Sequence, residues 1–319
     1  MATPRIAAFF LALLGVQPLA ASADTFPSRP VEMTVLWSAG TAPDVVGRAL
    51  AEGMARHLGQ PVVVLNKPGA GGAVAYRHVA AQKPDGYSVV MLSNSISTAY
   101  HTGTLPFDHT ALTPIAQVSI ESPIIVVRSD APYNNLSELI RYAKENPGKL
   151  RVGNSGVGSH LQLASESFFA TQNADVAHIP FGSSFSVTSL LGGHIDASAT
   201  LPGSVASHVS AGSVKVLGVL ATRRDPTFPD VPTATEQGHE YSADMWRGVA
   251  GPKGMPSDVV KALEEAVRLT LEEQEFKQRG QLSGFVPTFQ PHDAFATTIE
   301  REDAVIAQAL QKLGLKTSK

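Results

Sequence analysis

The chain has 319 residues, a length typical of about two domains, each able to bury its own hydrophobic core. Hydrophobic residues make up 43% of the sequence and charged residues 17%, which is ordinary for a globular protein and excludes intrinsic disorder. The formal net charge is -3, so no basic excess exists to bind a nucleic acid backbone. The absence of cysteine excludes Cys nucleophiles, Cys-ligated zinc and iron–sulfur clusters.

The first residues have the pattern of a secretory signal peptide. Arg5 precedes an apolar run, Ile6 to Leu14, that is too short to span a bilayer, and Ala21 and Ala23 form an A-x-A cleavage site. We therefore expect export, with a signal peptide over residues 1–23 cleaved after Ala23. The alternative is an N-terminal membrane anchor.

Apolar segments then alternate with helical ones, and Gly, Pro or Asp marks most junctions, a pattern typical of an α/β fold. The strand and helix order in the first part of the chain predicts parallel pairing of its strands. The predicted strands are 31–37, 61–65 and 87–92, and the predicted helices are 44–58 and 72–81.

Two apolar runs, 115–120 and 123–128, leave no room for a helix between them, which suits a strand that leaves one lobe and a strand that enters the next. A second α/β unit follows. Its predicted helices are 135–146, 159–171 and 185–191, and its predicted strands begin at 151, 176, 194 and 214. In the first of these helices, Asn135 and Glu138 have the spacing of an N-cap pair.

The two long helical patterns near the C-terminus, 256–273 and 291–313, have no sheet of their own, so we expect them to return to the first lobe. This predicts lobe 1 over residues 24–121 plus 224–319 and lobe 2 over residues 122–223. The two chain crossings, near Glu121 and Arg223, would form a hinge. Such a layout favours a ligand in the cleft between the lobes, at the carboxyl ends of parallel strands.

Two loops of small residues precede helices and can bring a ligand close to the backbone. In the first loop, free N–H groups of the following helix favour an anion, although an ordinary strand-to-helix turn is the alternative. The helix begins either with Thr41 and Asp44 as a capping box or with Pro43 at its first position, and we favour Pro43. Arg48 lies a turn into the helix and is expected to point away from the cleft. The candidate ligand-binding residues of this loop are Ser38, Ala39, Gly40, Thr41, Ala42 and Asp44.

The second loop follows the strand that starts at 151 and contains a G-x-S fragment at Ser155. The fragment suggests a nucleophile elbow, so an exported serine hydrolase using Ser155 is an alternative function. However, Val157 stands where the G-x-S-x-G motif requires glycine. We expect His160 to pack or to form hydrogen bonds at the helix N-terminus rather than act as a base. The candidate residues here are Ser155, Gly156, Gly158, Ser159 and His160, and Asn94, after the third predicted strand, is a further candidate.

No pattern of metal-dependent or nucleotide-dependent chemistry is present in the sequence. The ten histidines form no H-E-x-x-H motif, and the glycine runs lack a Walker lysine. We therefore predict no cofactor, no metal site and no enzymatic activity. Trp37 and Trp246 are expected in the wall of the cleft or in the core.

The mature chain resembles the Bug (TctC-like) family, which comprises the periplasmic solute-binding receptors of tripartite tricarboxylate transporters. The motifs that carry the resemblance occur in family order along nearly all of the mature chain. They are Phe26 to Val31, Ser38 to Asp44, Gly59 to Gly72, Pro84 to Tyr87, Asn146 to Leu150, Ser155 to Leu161, Leu190 to Asp196 and Pro229 to Thr233.

The resemblance implies a type II periplasmic-binding-protein-like fold, two α/β lobes that close on a small organic carboxylate by a hinge. It also implies delivery of that ligand to membrane transporter subunits, and we expect a monomer. A sensor that presents its ligand to a membrane kinase is an alternative that the sequence leaves open. The family pattern adds candidate residues in the second lobe, namely Phe181, Gly182, Ser183 and Thr200.

The chain departs from the family pattern at positions that bear on the ligand. Gly182 stands where the family usually has lysine in its "PYKG" segment, and Leu201 lies where many relatives have acidic or amide side chains. Together with Phe181 and Phe185, these residues predict a less polar wall. We therefore expect a ligand with one carboxylate and an apolar or aromatic body, because a second buried carboxylate would need its own donors.

Overall fold

The computed structural model describes residues 26–156, 159–181 and 186–317. They form two α/β lobes, each built on its own mixed sheet. The predicted signal peptide lies outside the described residues, as do Gly158, Gly182, Ser183 and Phe185.

Lobe 1 has a six-stranded sheet with the strand order β11-β4-β10-β3-β1-β2. The predicted parallel pairing is confirmed for β1 with β2 and for β1 with β3, whereas β10 pairs antiparallel with both β3 and β4. The strands are β1 (Val31–Val35), β2 (Val62–Asn66), β3 (Ser88–Ser93), β4 (Leu112–Glu121), β10 (Met245–Pro252) and β11 (Val286–Pro291).

The helices of lobe 1 cover this sheet, and the two long C-terminal helices return to it as predicted. Val260 and Leu263 of one and Phe295 and Ile299 of the other are buried in the same core as Val31 and its sheet neighbours. The helices are α1 (Ala42–Leu58), α2 (Ala73–Ala80), α3 (Ser95–His101), α8 (Ser257–Glu272), α9 (Gln274–Ser283) and α10 (His292–Lys312).

Lobe 2 has a five-stranded sheet with the order β7-β6-β8-β5-β9, in which β5 runs antiparallel to its two neighbours. Alternate residues of β5 enter two cores, Ile125 on one face of the sheet and Ile124 on the other, because side chains alternate along a strand. The elements are β5 (Ile124–Arg128), α4 (Leu136–Glu145), β6 (Arg151–Asn154), α5 (His160–Thr171), β7 (Ala177–Pro180), α6 (Ser186–Leu191), β8 (Ala197–Thr200), α7 (Ala206–Ser210) and β9 (Val214–Val219). The Asn135 cap is present, with Oδ1 accepting from the Glu138 amide at 2.8 Å.

The chain crosses between the lobes at two places that lie side by side. The first crossing is the short link from Glu121 to Ile124, where the sequence analysis placed it. The second lies at Asp244 and Met245 rather than near Arg223. Residues 224–244 pack on lobe 2, because Ala234 is buried in its core and the Ala243 amide donates to Leu220 O at 2.8 Å.

The two lobes also touch each other away from these crossings. Leu163 of α5 is buried against Ile306 and Leu310 of α10. Gly203, after β8, lies so close to the end of α9 that a Cβ added to it would be 1.8 Å from Ser283 O. The cleft is therefore bounded by lobe contacts as well as by the crossings.

Candidate functional site

A cavity of about 350 Å³ lies between the lobes, within the size range of small-molecule sites. Both lobes line it with a mixture of hydroxyl-bearing, imidazole and apolar side chains. Its lining residues are Trp37, Gly40, Thr41, Pro43, Ser95, Ser155, Ser159, His160, Leu161, Val187, Thr188, Ala199, Thr200, Leu201, Gly203, Ser204, His208, Met245 and Arg247.

The loop between β1 and α1 is held by the buried carboxylate of Asp44. Asp44 Oδ2 accepts from the Gly40 amide and from Arg48 Nε, each at 2.9 Å, and Oδ1 accepts from Asn66 Nδ2 at 2.7 Å. Burial alone would raise the pKa of Asp44, but these hydrogen bonds outweigh it and hold the pKa below its usual value. Asp44 is therefore a charged brace under the loop, outside the cavity lining.

Helix α1 starts where the Thr41 placement put it, but without the hydrogen bonds of a capping box. Thr41 is the N-cap, Pro43 lies in the first turn, and no side chain caps the helix, because Thr41 Oγ1 donates instead to Ser38 O at 2.7 Å. The favoured placement, with Pro43 at the first helical position, was therefore wrong. The Gly40 and Thr41 amides bond within the loop, to Asp44 and to Ser38 O. The amides of Ala42 and Asp44 are the first-turn donors of α1, adjacent in sequence to the lining residues Thr41 and Pro43.

Helix α5 presents the matching N-terminus from lobe 2. Its N-cap is Ser159, whose Oγ accepts from the Gln162 amide at 3.1 Å. The next two residues, His160 and Leu161, line the cavity. Two helix N-termini, of α1 and α5, thus border one cavity from opposite lobes, and the positive ends of both helix dipoles favour an anion there.

His160 is buried and neutral. Its Nε2 lies 3.2 Å from Ala243 O, so Nε2 carries the proton, while Nδ1 is buried without a hydrogen-bond partner among the described residues. Burial, helped by the nearby charge of Arg247, lowers the pKa of His160 to about 4, and the hydrogen bond to Ala243 O only partly offsets this. The imidazole links α5 to the chain segment before the second crossing, which agrees with the expected hydrogen-bonding role.

Gly156 serves the backbone of the second loop. Its φ is +113°, and a Cβ added to it would lie 2.7 Å from Phe181 O, so no side chain fits at this position. The Gly156 amide donates to Asn154 Oδ1 at 3.1 Å, and the Phe181 ring packs in the core of lobe 2 beside Gly153. These residues shape the loop from behind the cavity wall.

The structure brings six of the sequence-predicted site residues into the cavity lining, from both lobes: Gly40, Thr41, Ser155, Ser159, His160 and Thr200. Ser38, Ala39, Asp44, Asn94, Gly156 and Phe181 lie outside that lining, and Ala42 is the first residue of α1. Asn94 is fully buried and accepts from the Trp246 amide at 2.9 Å, which ties β10 to the end of β3. Trp37 is in the lining and Trp246 in the core, against Phe295.

Arg247 is the main lining residue that the sequence analysis missed. It lies in β10 with only 3% of its side chain exposed, and Glu121, 2% exposed, accepts from its Nε and, at 3.0 Å, from its Nη2. Among the described lining residues it is the only Lys, Arg, Asp or Glu. The available signal was a charged residue inside the otherwise uncharged strand Met245 to Pro252.

The part of the chain that the structure describes contains no group of three His, Cys, Asp or Glu side chains placed to hold a metal ion. Within the same part, no helix combines the length and the apolar character needed to cross a bilayer.

The fold and the cleft define the class of two-lobed solute-binding proteins. The solved structure of the periplasmic binding protein BugD superimposes with a TM-score of 0.84 at 31% identity, covering 92% of this chain and 100% of that one. MatC from Rhodopseudomonas palustris, solved with bound malate, gives 0.82 at 27% identity, covering 89% and 100%.

The family follows from the sequence comparisons. The chain belongs to the tripartite tricarboxylate transporter family receptors, whose family model matches residues 46–315. It is 30% identical over 314 residues to Protein BugT of Bordetella pertussis, covering 95% of this chain and 96% of that one. The family is one of periplasmic solute-binding receptors, so the chain is a binding protein, and the serine hydrolase alternative was wrong.

If backbone amides at the start of α1 bind the carboxylate, Gly40→Val is expected to abolish carboxylate binding. Gly40 lines the cavity with a φ of +81°, and no atom lies within 4 Å of where a Cβ would be, so valine adds branched carbons at the lining. Gly59→Val is the matched control, because Gly59 also has a positive φ (+67°) and open space but lies at the far end of α1. Both variants are expected to lose roughly 1–3 kcal/mol of stability from backbone strain.

Only Gly40→Val is expected to lose the thermal stabilisation produced by added carboxylate. Arg48→Ala, which removes a brace on Asp44 rather than a cavity residue, is expected to retain most of it. Loss of binding in Arg48→Ala together with normal binding in Gly40→Val would contradict the role of the loop backbone.

The neutral His160 predicts a loss of stability at mildly acid pH. Its pKa is about 4 in the folded protein and near 6.5 when unfolded, so between these values only the unfolded state gains the proton. The resulting loss is at most about 1.4 kcal/mol per pH unit as pH falls from 6.5 towards 4. His160→Gln, which keeps a donor for Ala243 O, is expected to remove this contribution. Urea unfolding at pH 7 and pH 5 measures it, and equal pH dependence in the two proteins would contradict the assignment.

Proposed function

We propose that this chain is an exported receptor that captures a small organic acid bearing one carboxylate and delivers it to the membrane subunits of a tripartite transporter. Export would use the signal peptide of residues 1–23. The observation that carries the proposal is the pair of helix N-termini, of α1 and α5, on opposite sides of one cavity between the lobes.

The carboxylate is assigned to the space between these two helix starts. A carboxylate has about four lone-pair positions and needs donors for them when it leaves water. The amides of Ala42 and Asp44 on one side and of His160 and Leu161 on the other supply donors at the positive ends of the helix dipoles. The Ser159 hydroxyl adds another, because its oxygen accepts from the Gln162 amide and its hydrogen has no acceptor among the described residues.

The body of the ligand is assigned to the apolar part of the lining. Trp37, Leu161, Leu201 and Met245 supply this surface from both lobes, with Val187 beside them. Phe181, which we expected there, packs in the core of lobe 2 and does not support the assignment. MatC binds malate, a dicarboxylate, whereas the one Arg or Lys among the described lining residues here is already paired with Glu121. This favours one carboxylate over two.

A thermal-unfolding screen tests the proposal. We expect aromatic and aliphatic monocarboxylates such as benzoate, phenylacetate and hexanoate to include a stabilising ligand, with about 2.7 kcal/mol at 100 times its dissociation constant. The matched amides, benzamide and hexanamide, have the same bodies without the charge and are expected to stabilise much less. Tighter binding of citrate than of any monocarboxylate in calorimetry would contradict the assignment, and stabilisation by none of the acids would contradict the receptor function.

A further inference from the structure

The buried pair of Arg247 and Glu121 lies at the first crossing between the lobes. Glu121 is the last residue of β4, and Arg247 is in the neighbouring strand β10, where Met245 is the direct partner of Glu121. The carboxylate of Glu121 accepts from Nε and Nη2 of Arg247, a two-point contact in which the cation and the anion cancel. Removing one partner would leave an unbalanced buried charge.

Only the arginine of this pair lines the cavity. A guanidinium has five N–H groups, and the side facing Glu121 uses those on Nε and Nη2. Nη1 forms no hydrogen bond to any described residue, and Glu121 is not part of the lining. The end of the cavity next to β10 is therefore lined by an arginine whose charge is already balanced and whose Nη1 has no partner among the described residues.

No other side chain of the described lining brings a fixed positive charge to this end. His160, which lies within electrostatic reach of Arg247, is neutral because it is buried. The second imidazole in the lining, His208, lies on α7 of lobe 2. A second carboxylate would thus leave water without meeting an unpaired cation, whereas a neutral oxygen needs only a donor.

Building on the proposed function, we propose that Arg247 and Glu121 determine ligand specificity together. Arg247 Nη1 donates to a neutral acceptor oxygen on the far end of the ligand, such as an ester, keto or hydroxyl oxygen. Glu121 cancels the charge that would otherwise attract a second carboxylate. The ligand class is then a monocarboxylate with a neutral oxygen at the opposite end.

The test compares dicarboxylates from succinate to suberate with their monomethyl esters, by calorimetry at pH 8. For wild type we expect at least one monoester to bind more tightly than its own diacid. Glu121→Gln keeps the size and an acceptor oxygen but removes the anion, so the preference is expected to move towards the diacid by about tenfold or more. Glu121→Asp keeps the charge while disturbing the packing, and it is expected to leave the preference unchanged.

If Glu121→Gln alone does not fold, the double variant Glu121→Gln with Arg247→Gln tests the proposed specificity. It removes both charges and keeps an amide pair, so we expect weaker binding of monoester and diacid alike with their ratio preserved. Three results would overturn the proposal. They are a selective loss of diacid binding in the double variant, a preference of the wild type for diacids, and equal shifts of the preference in Glu121→Gln and Glu121→Asp. Binding of neither series while other carboxylates stabilise the protein would overturn it without affecting the receptor function. Stabilisation by no carboxylate at all would overturn both.

Discussion

A carboxylate enclosed between two protein lobes loses its water, and the structure around the cleft depends on how that loss is compensated. The protein's own buried carboxylates follow the same rule. Asp44 receives three donors and fixes the loop before α1, and Glu121 receives two from Arg247 beside the first crossing. Because these acids are already satisfied, the amides at the starts of α1 and α5 remain for a ligand. In the proposed function the cleft is an anion site made of backbone dipoles, with its side-chain charges balanced.

Much of the fold could be predicted from the sequence, because strand and helix periodicity, N-cap residues and Gly or Pro breaks act locally. The alternation that predicted parallel strands in lobe 1 is confirmed, as is the return of the C-terminal helices. Weak local signals were missed. Helix α3 has the sequence SISTAYH, which is rich in poor helix formers, and β11 contains two prolines and lies at a sheet edge.

The site was less predictable, because it depends on contacts between residues distant in sequence. Loop composition indicated Gly40 and Ser159, which do line the cavity, but it gave Asp44 the same weight as its neighbours. That carboxylate turned out to bind Asn66, whose position depends on the pairing of β1 with β2. The pairing of Glu121 with Arg247 joins residues 126 positions apart and required the antiparallel register of β4 and β10, which no local pattern reveals.

The most direct test of the central claim is a titration of the isotope-labelled protein with benzoate, followed by amide ¹H–¹⁵N NMR, with benzamide as the uncharged control. A carboxylate held by the two helix starts is expected to give its largest downfield amide proton shifts at Ala42, Asp44, His160 and Leu161, with much smaller shifts for benzamide. Saturable binding of benzoate that moves the Arg247 side-chain signals while leaving those four amides in place would contradict the account.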